Sequence, residues 1–238
     1  MPIHLKAEPG EVATVAFLVG DPGRATRMAA MLAGARCYNE NRGLLGYTGT
    51  WEGVRVSVQT TAMGGPSTAI VVEELADLGV RTAVRLGTCG AIAERVGMLD
   101  LVVATASVPM DGTTRQYVGG DPFAPVADFE VTRALVDAAA AGARASHAGL
   151  FITEDAFYRQ PMGWDTWRNR GVLAVEMEAA TLFTVALHRG LRAGAICLVV
   201  DRVGDRESWA SEAAIAAGTA DMLAVALAAL PGLAALTG

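Results

Sequence analysis

The sequence is short of the groups that stabilise or address a chain by special means. It has three cysteines in 238 residues, Cys37, Cys89 and Cys197, odd in number and scattered. That argues against a disulfide framework and for a reducing compartment, the cytoplasm. Cys-x-x-Cys pairs and histidine clusters are missing, so no metal site is expected. There is no basic excess: 19 Lys and Arg stand against 25 Asp and Glu, a formal charge of −6. A nucleic-acid partner is therefore not expected, although a local basic pocket for a small anion is still allowed. Residues 1–10 carry no apolar core of a signal peptide, so none is expected there. The uncharged stretch 222–238 is rich in alanine and interrupted by Pro231 and Gly232. A membrane span needs about 20 strongly apolar residues, so this stretch is expected to be a buried helix and its exit, with no membrane role. Despite 27 glycines there is no Gly-X-Y period, which excludes collagen.

What the chain does have is apolar residues, 52% of the total, against 18% charged. A chain of this size buries roughly 70–75% of its unfolded surface and needs no staples. Apolar runs alternate with helical patterns. Strands are expected over residues 12–19, around Val54, Val56 and Val58, and over 80–86, 100–108, 147–152 and 193–200. Helices are expected from Asp21 and Pro22 to about residue 33, then over 67–78, 129–141, 176–189 and 207–230. Strand–helix alternation with no composition shift implies one domain, 1–238: an α/β fold with a central, mostly parallel or mixed twisted sheet flanked by helices. Ligands in such folds sit on the loops after the strands.

Four segments carry candidate chemistry. Gly20-Asp21-Pro22-Gly23-Arg24 reads as an anion-binding turn at a helix N-terminus, or as an ordinary strand–helix turn with a surface arginine. Arg85-Leu86-Gly87-Thr88-Cys89-Gly90 places a cation inside an apolar strand, which demands a partner: a bound anion or a buried ion pair. In Val175-Glu176-Met177-Glu178 two acids stand where a short strand enters a helix, suited to paired sugar hydroxyls or to the helix dipole. Asp201 follows an apolar strand, where desolvation can raise a carboxyl pKa toward that of a proton donor; an ion pair with Arg202 is the plainer alternative. His4 reads by itself as an exposed histidine. Phe157-Tyr158 with Trp164 and Trp167 reads as core. Met63-Gly64-Gly65-Pro66-Ser67 and Asn41-Arg42-Gly43 are turns, the latter with an arginine that has no evident local partner.

These segments, in this order, resemble the nucleoside phosphorylases of the uridine and hexameric purine type, over nearly the whole chain, and most closely the bacterial hexameric purine enzymes. The resemblance implies that Gly20, Arg24, Arg85 and Thr88 bind phosphate, with Arg42 supplied to the neighbouring subunit's site. His4 would likewise reach across, to the sugar 5′-hydroxyl. Met63, Glu176, Met177 and Glu178 would hold the ribose, with Glu178 on the 2′- and 3′-hydroxyls. Cys89, Gly90, Phe157, Val175 and Val200 would line the base, and Asp201 would face purine N7 as general acid. It further implies a homo-oligomer, a hexamer built as a trimer of dimers, which takes phosphate as co-substrate and needs no metal or organic cofactor.

The chain departs from the purine pattern in two places. Val200 stands where serine usually precedes the acid, and Ser211-Glu212-Ala213-Ala214 lacks the arginine that assists it, a role open to Arg202 or Arg206. Uridine phosphorylases resemble the chain around Thr105-Ala106-Ser107-Val108 and Ala127-Asp128-Phe129-Glu130. They carry an insert after the Phe-Tyr pair and an asparagine in place of the acid. Here Phe157-Tyr158-Arg159-Gln160-Pro161 runs on without that insert, and the acid is Asp201. Both differences favour a purine. The competing readings are a uridine phosphorylase, a hydrolytic nucleosidase and a non-catalytic nucleoside-binding protein. A nucleosidase has no use for Arg24, Arg42 and Arg85 together, and a binding protein none for Asp201.

Overall fold

Five apolar residues in a row, Val15–Val19, form strand β1, and every one is buried, as a strand covered on both faces requires. The computed structural model describes residues 2–158, 163–205 and 207–237. Further strands are β2 (Ala33–Asn39), β3 (Gly46–Trp51), β4 (Val54–Thr60), β5 (Thr82–Ala91), β6 (Leu101–Pro109), β7 (Ser146–Thr153), β8 (Val172–Glu176) and β9 (Arg192–Arg202). They form one mixed sheet in the order β2-β3-β4-β1-β5-β8-β7-β6-β9. Strand β5 also pairs in parallel with β9, from Thr82↔Arg192 to Ala91↔Arg202, so β5-β8-β7-β6-β9 close into a ring.

The period of two along each strand sorts side chains into two layers. Val15, Phe17 and Val19 of β1 and Ile196, Leu198 and Val200 of β9 face one cluster; Ala16 and Leu18, and Ala195, Cys197 and Val199, face the other. The first layer is covered by α1 (Pro22–Ala29), α4 (Phe129–Ala140) and α7 (Glu212–Ala235). The second is covered by α2 (Gly65–Asp77) and α6 (Ala179–Arg189). Short helices α3 (Gly112–Tyr117) and α5 (Trp164–Asn169) lie in the connections.

Several boundaries differ from the sequence expectation. Helix α1 stops at Ala29, and the next residues turn into edge strand β2, exposed along most of its length. The Gly87–Gly90 segment, expected as a loop, continues β5 because β9 pairs with it throughout. Glu176 closes β8, and α6 begins only at Ala179. Asp201 lies within β9. Helix α7 begins at Glu212, where the Ser211 hydroxyl caps Ala214 N–H, and runs through Pro231 to Ala235. It is long and apolar enough to cross a membrane, but Met222, Leu223, Leu227, Leu230 and Leu233 are buried against the sheet and α4, so core packing accounts for its composition. Phe157 and Tyr158 are exposed rather than core, whereas Trp164 and Trp167 pack on the Ile92, Ile152 and Val172 cluster.

Candidate active site

Arg85 lies in the middle of β5, almost wholly buried. Its Nε donates to Glu176 Oε2 at 2.8 Å and its Nη2 pairs with Glu178. Burial by itself disfavours the Arg85 charge, but Glu178 and Glu176 more than offset this and hold it protonated. The glycine two residues on makes room for this geometry: a Cβ at Gly87 would stand 2.7 Å from Arg85 Nη2.

The two acids do different work. Glu176 accepts from Arg85, from Thr153 Oγ1 at 2.6 Å, from Glu178 N–H at 2.8 Å and from Ala179 N–H at 2.9 Å. It therefore caps α6 and fixes Arg85, and has no acceptor capacity left for a sugar hydroxyl. These bonds lend the expected ribose contact of Glu176 no support. Glu178 takes Gly64 N–H on Oε1 at 2.6 Å and Arg85 on Oε2, so each oxygen keeps a free lone pair. Burial raises its pKa, with Arg85 opposing and Glu176 adding to the rise. The bond to Gly64 brings the exposed Met63 beside it; Met177 lies between the two acids in sequence.

Arg24 reaches over from α1 and donates from Nη1 to Leu86 O at 2.8 Å. Its Nε is buried with no partner among the described residues, and burial together with the neighbouring Arg85 lowers its pKa. Two adjacent buried cations with unused donors make an anion cradle. The N-terminus of α1 does not extend it. The Asp21 carboxylate already accepts Gly23 N–H at 2.8 Å and Arg24 N–H at 3.0 Å, so the expected helix-dipole contribution is spent on the cap. Gly20 follows the end of β1, which pairs with β5 up to Val19↔Leu86. Thr88 lies three residues beyond Arg85 on β5 and is half-buried.

Across the sheet from this cradle, Val175 of β8, Gly90 of β5 and Asp201 of β9 stand in one row, since Gly90 pairs with both neighbours. A Cβ at Gly90 would lie 3.0 Å from Asp201 Oδ1. Burial alone raises the Asp201 pKa. Arg202 is not its partner: the guanidinium donates away to Val96 O at 2.8 Å and Ala93 O at 3.4 Å. This overturns both the ion pair and the stand-in arginine at that residue, because successive strand residues face opposite sides. For the same reason the Val200 side chain points into the α7 layer and is buried there. Cys89 is buried beside Cys197, and burial pushes its thiol well up, so it is inert. Arg206, and Arg159, Gln160 and Pro161 of the segment without the insert, lie outside the described residues.

At the mouth of this row, Phe157 meets Trp209 edge-to-face with ring centres 6.3 Å apart. Trp209 is tied to β9 by Ala210 N–H, which donates to Val200 O at 2.8 Å. Sequence reasoning passed over Trp209; a large aromatic in the short polar stretch after Asp201 was the available signal.

His4 and Arg42 do not join the cluster. Arg42 is exposed, in a left-handed conformation (φ 57°) within the 3₁₀ turn Asn41–Gly43, and makes no ion pair among the described residues. His4 is bonded through Nδ1 to Glu74 at 2.8 Å. Asn41 Nδ2 donates to His4 O at 2.8 Å, so the two residues belong to one joined unit. No group of three or more His, Cys, Asp or Glu among the described residues is arranged to hold a metal.

Comparison with known proteins places the chain among relatives. The family model described as "Phosphorylase superfamily" matches residues 14–231. The chain is 42% identical over 214 residues to the purine nucleoside phosphorylase DeoD-type of Geobacillus kaustophilus, covering 89% of this chain and 91% of that protein. It is 41% identical to the same-named protein of Clostridium perfringens, over 89% and 92% of the two chains. It is 39% identical to the guanosine phosphorylase of Halorubrum lacusprofundi, over 82% and 81%.

Proposed function

The chain belongs to the phosphorylase superfamily, and on that premise we propose that it is a purine nucleoside phosphorylase. The reaction is purine (deoxy)ribonucleoside plus phosphate giving free purine plus (deoxy)ribose 1-phosphate, a reversible pentosyl transfer used in purine salvage. One arrangement carries the reading. Two adjacent buried arginines, Arg24 with an Nε that has no partner among the described residues, stand with a carboxylate that keeps free lone pairs, Glu178, and the paired strand β9 carries a desolvated acid, Asp201, with no cationic partner among the described residues.

Phosphate sits on Arg24, Arg85, Thr88 and Gly20, with Arg42 of the neighbouring subunit. Glu178 accepts the 2′- and 3′-hydroxyls, with Met63 and Met177 along the sugar and His4 of the neighbour at the 5′-hydroxyl. Glu176 touches no substrate; it orients Arg85. The base lies over the row of Val175, Gly90 and Asp201, beside Cys89, with Phe157 on its face. As the C1′–N9 bond breaks, Asp201 passes its proton to N7 and a phosphate oxygen bonds to C1′. A positioned acid is worth about 10²–10⁴-fold, and fixed phosphate provides much of the remainder through orientation and charge. The working unit is a homohexamer, a trimer of dimers, in the cytoplasm. It uses neither metal nor organic cofactor.

A spectrophotometric assay with inosine, adenosine and uridine, with and without phosphate, tests the reading. Turnover of purine nucleosides only when phosphate is present is the expected result. Uridine turnover would support the pyrimidine alternative, and turnover without phosphate the hydrolase.

A further inference from the structure

Helix α2 buries an acid on its apolar face. Glu74 lies among Val71, Val72 and Leu75 and is largely buried, 9% exposed where they are wholly buried, a costly placement unless its lone pairs are used. Four N–H groups of the amino-terminal segment converge on it. Ile3 N–H donates to Oε1 at 2.9 Å, His4 N–H to both oxygens at 3.0 Å, Leu5 N–H to Oε2 at 2.7 Å, and the His4 ring shares its Nδ1 with Oε1 at 2.8 Å. Burial alone would push the Glu74 pKa up, but these donors pull it down to about 2.

An ionised carboxylate has no proton to give. The bond to the ring therefore requires the proton on His4 Nδ1, and in neutral imidazole Nε2 is then the acceptor. The same segment is tied to the Arg42 turn by Asn41 on His4 O, and Lys6 N–H donates to Asn39 Oδ1 at 2.8 Å. Glu74 thus anchors the unit that holds both residues left over from their own chain's cluster.

We propose that Glu74 is the positioning residue for His4: it holds the amino-terminal strap and fixes the ring with Nε2 as acceptor, so that the site selects nucleosides bearing a hydrogen-bond donor at the 5′ position. This rests on the reading that His4 meets the 5′-hydroxyl of the neighbouring site. Glutamine is the informative replacement, because its amide nitrogen can accept from none of the converging N–H groups.

The test is the ratio of kcat/KM for inosine over 5′-deoxyinosine at saturating phosphate. The wild-type ratio is expected near 10, the worth of one well-formed hydrogen bond. His4→Ala and Glu74→Gln should each bring it below about 2, and the double variant no further. A merely structural Glu74 would lower both substrates alike and keep the ratio. If His4→Ala collapses the ratio and Glu74→Gln does not, the role of Glu74 is overturned while the reading of His4 stands. If His4→Ala leaves the ratio unchanged, or the wild-type ratio is near 1, both fall. A second arm needs no variant. On the wild-type enzyme, 5′-fluoro and 5′-O-methyl inosine, which offer acceptors only, should be as poor as the 5′-deoxy compound. Recovery to the rate of inosine would overturn the assigned tautomer.

Discussion

At the sugar and phosphate end of the cleft, Arg85, Glu176 and Glu178 are each less than a tenth exposed and hold one another in place through strands β5 and β8 and the start of α6. At the base end, Phe157 and Trp209 are 58% and 53% exposed and are held by their edge-to-face contact and one backbone bond from Ala210. The first end is assembled before any ligand arrives. The second is held more loosely. Charge explains the difference. Buried ions must be paired within the fold or they would unfold it, whereas exposed rings carry no such obligation. On the proposed function, the rigid end supplies the fixed charges that catalysis needs and the loose end the room for the purine.

The largest effect should come from breaking the rigid end. Glu176→Ala removes one of the two acids paired with Arg85 and leaves its Nε, the Thr153 hydroxyl and the first N–H groups of α6 without their acceptor. Removing one partner of a buried pair typically costs about 3–5 kcal/mol, which denaturant unfolding will read, and phosphorolysis should vanish with it. A loss under about 1 kcal/mol would mean that the two ends do not differ in rigidity.

Asp201→Asn should be next. Adenosine turnover is expected to fall about 10²-fold or more, the span of a removed general acid. Inosine should lose less, because its 6-oxo group accepts a hydrogen bond from the new amide. The base of 7-methylguanosine leaves without a proton and should be nearly spared. Equal losses on adenosine and 7-methylguanosine would show that Asp201 only positions the base. The acid works protonated, and burial raises its pKa, so wild-type turnover should fall as pH rises through that raised value, and the asparagine variant should lose this limb. The sign for stability is the same. A carboxyl whose folded pKa lies above its unfolded one supports the fold least when both states are ionised. The variant should therefore gain in melting temperature over wild type at pH 8, with the gap narrowing as pH falls through the raised value and closed by about pH 4.

Arg42→Ala should act on the phosphate side from across the interface. Loss of one charge-assisted contact is expected to raise the phosphate KM about 10-fold, with little change in folding because the side chain is exposed. Co-assembled oligomers of Arg42→Ala and Arg24→Ala chains should regain activity, since some sites then receive both native arginines. No regain would place Arg42 outside the neighbour's site. Trp209→Ala should be the mildest change. An edge-to-face pair is worth about 0.5–1.5 kcal/mol, so the nucleoside KM should rise a few-fold while the phosphate KM holds. A phosphate effect of equal size would erase the division between the two ends.

The sequence by itself determined the strand and helix core wherever local chemistry is decisive. The β1 and β9 runs, the alternation of β4, the Asp21–Pro22 start of α1 and the Gly190 stop of α6 follow from burial, period and capping, all of which act within a few residues. The same locality made the odd residues Arg85, Glu178 and Asp201 visible, because each breaks an apolar or small-residue pattern. Edge strand β2 and its neighbour β3 were not legible, since β2 is exposed along most of its length and β3 shows no apolar alternation. Tertiary structure alone decided the rest. The β5–β9 pairing joins positions about 110 apart in the chain, closes the ring and turns an expected glycine loop into strand. Only the folded geometry divides Glu176, saturated by its neighbours, from Glu178, which keeps free lone pairs. It likewise turns Val200 and Arg202 away from Asp201, and brings Glu74 to His4 from 70 residues away. In each case the deciding fact is which donors meet which acceptors across the sheet, and no stretch of sequence contains both.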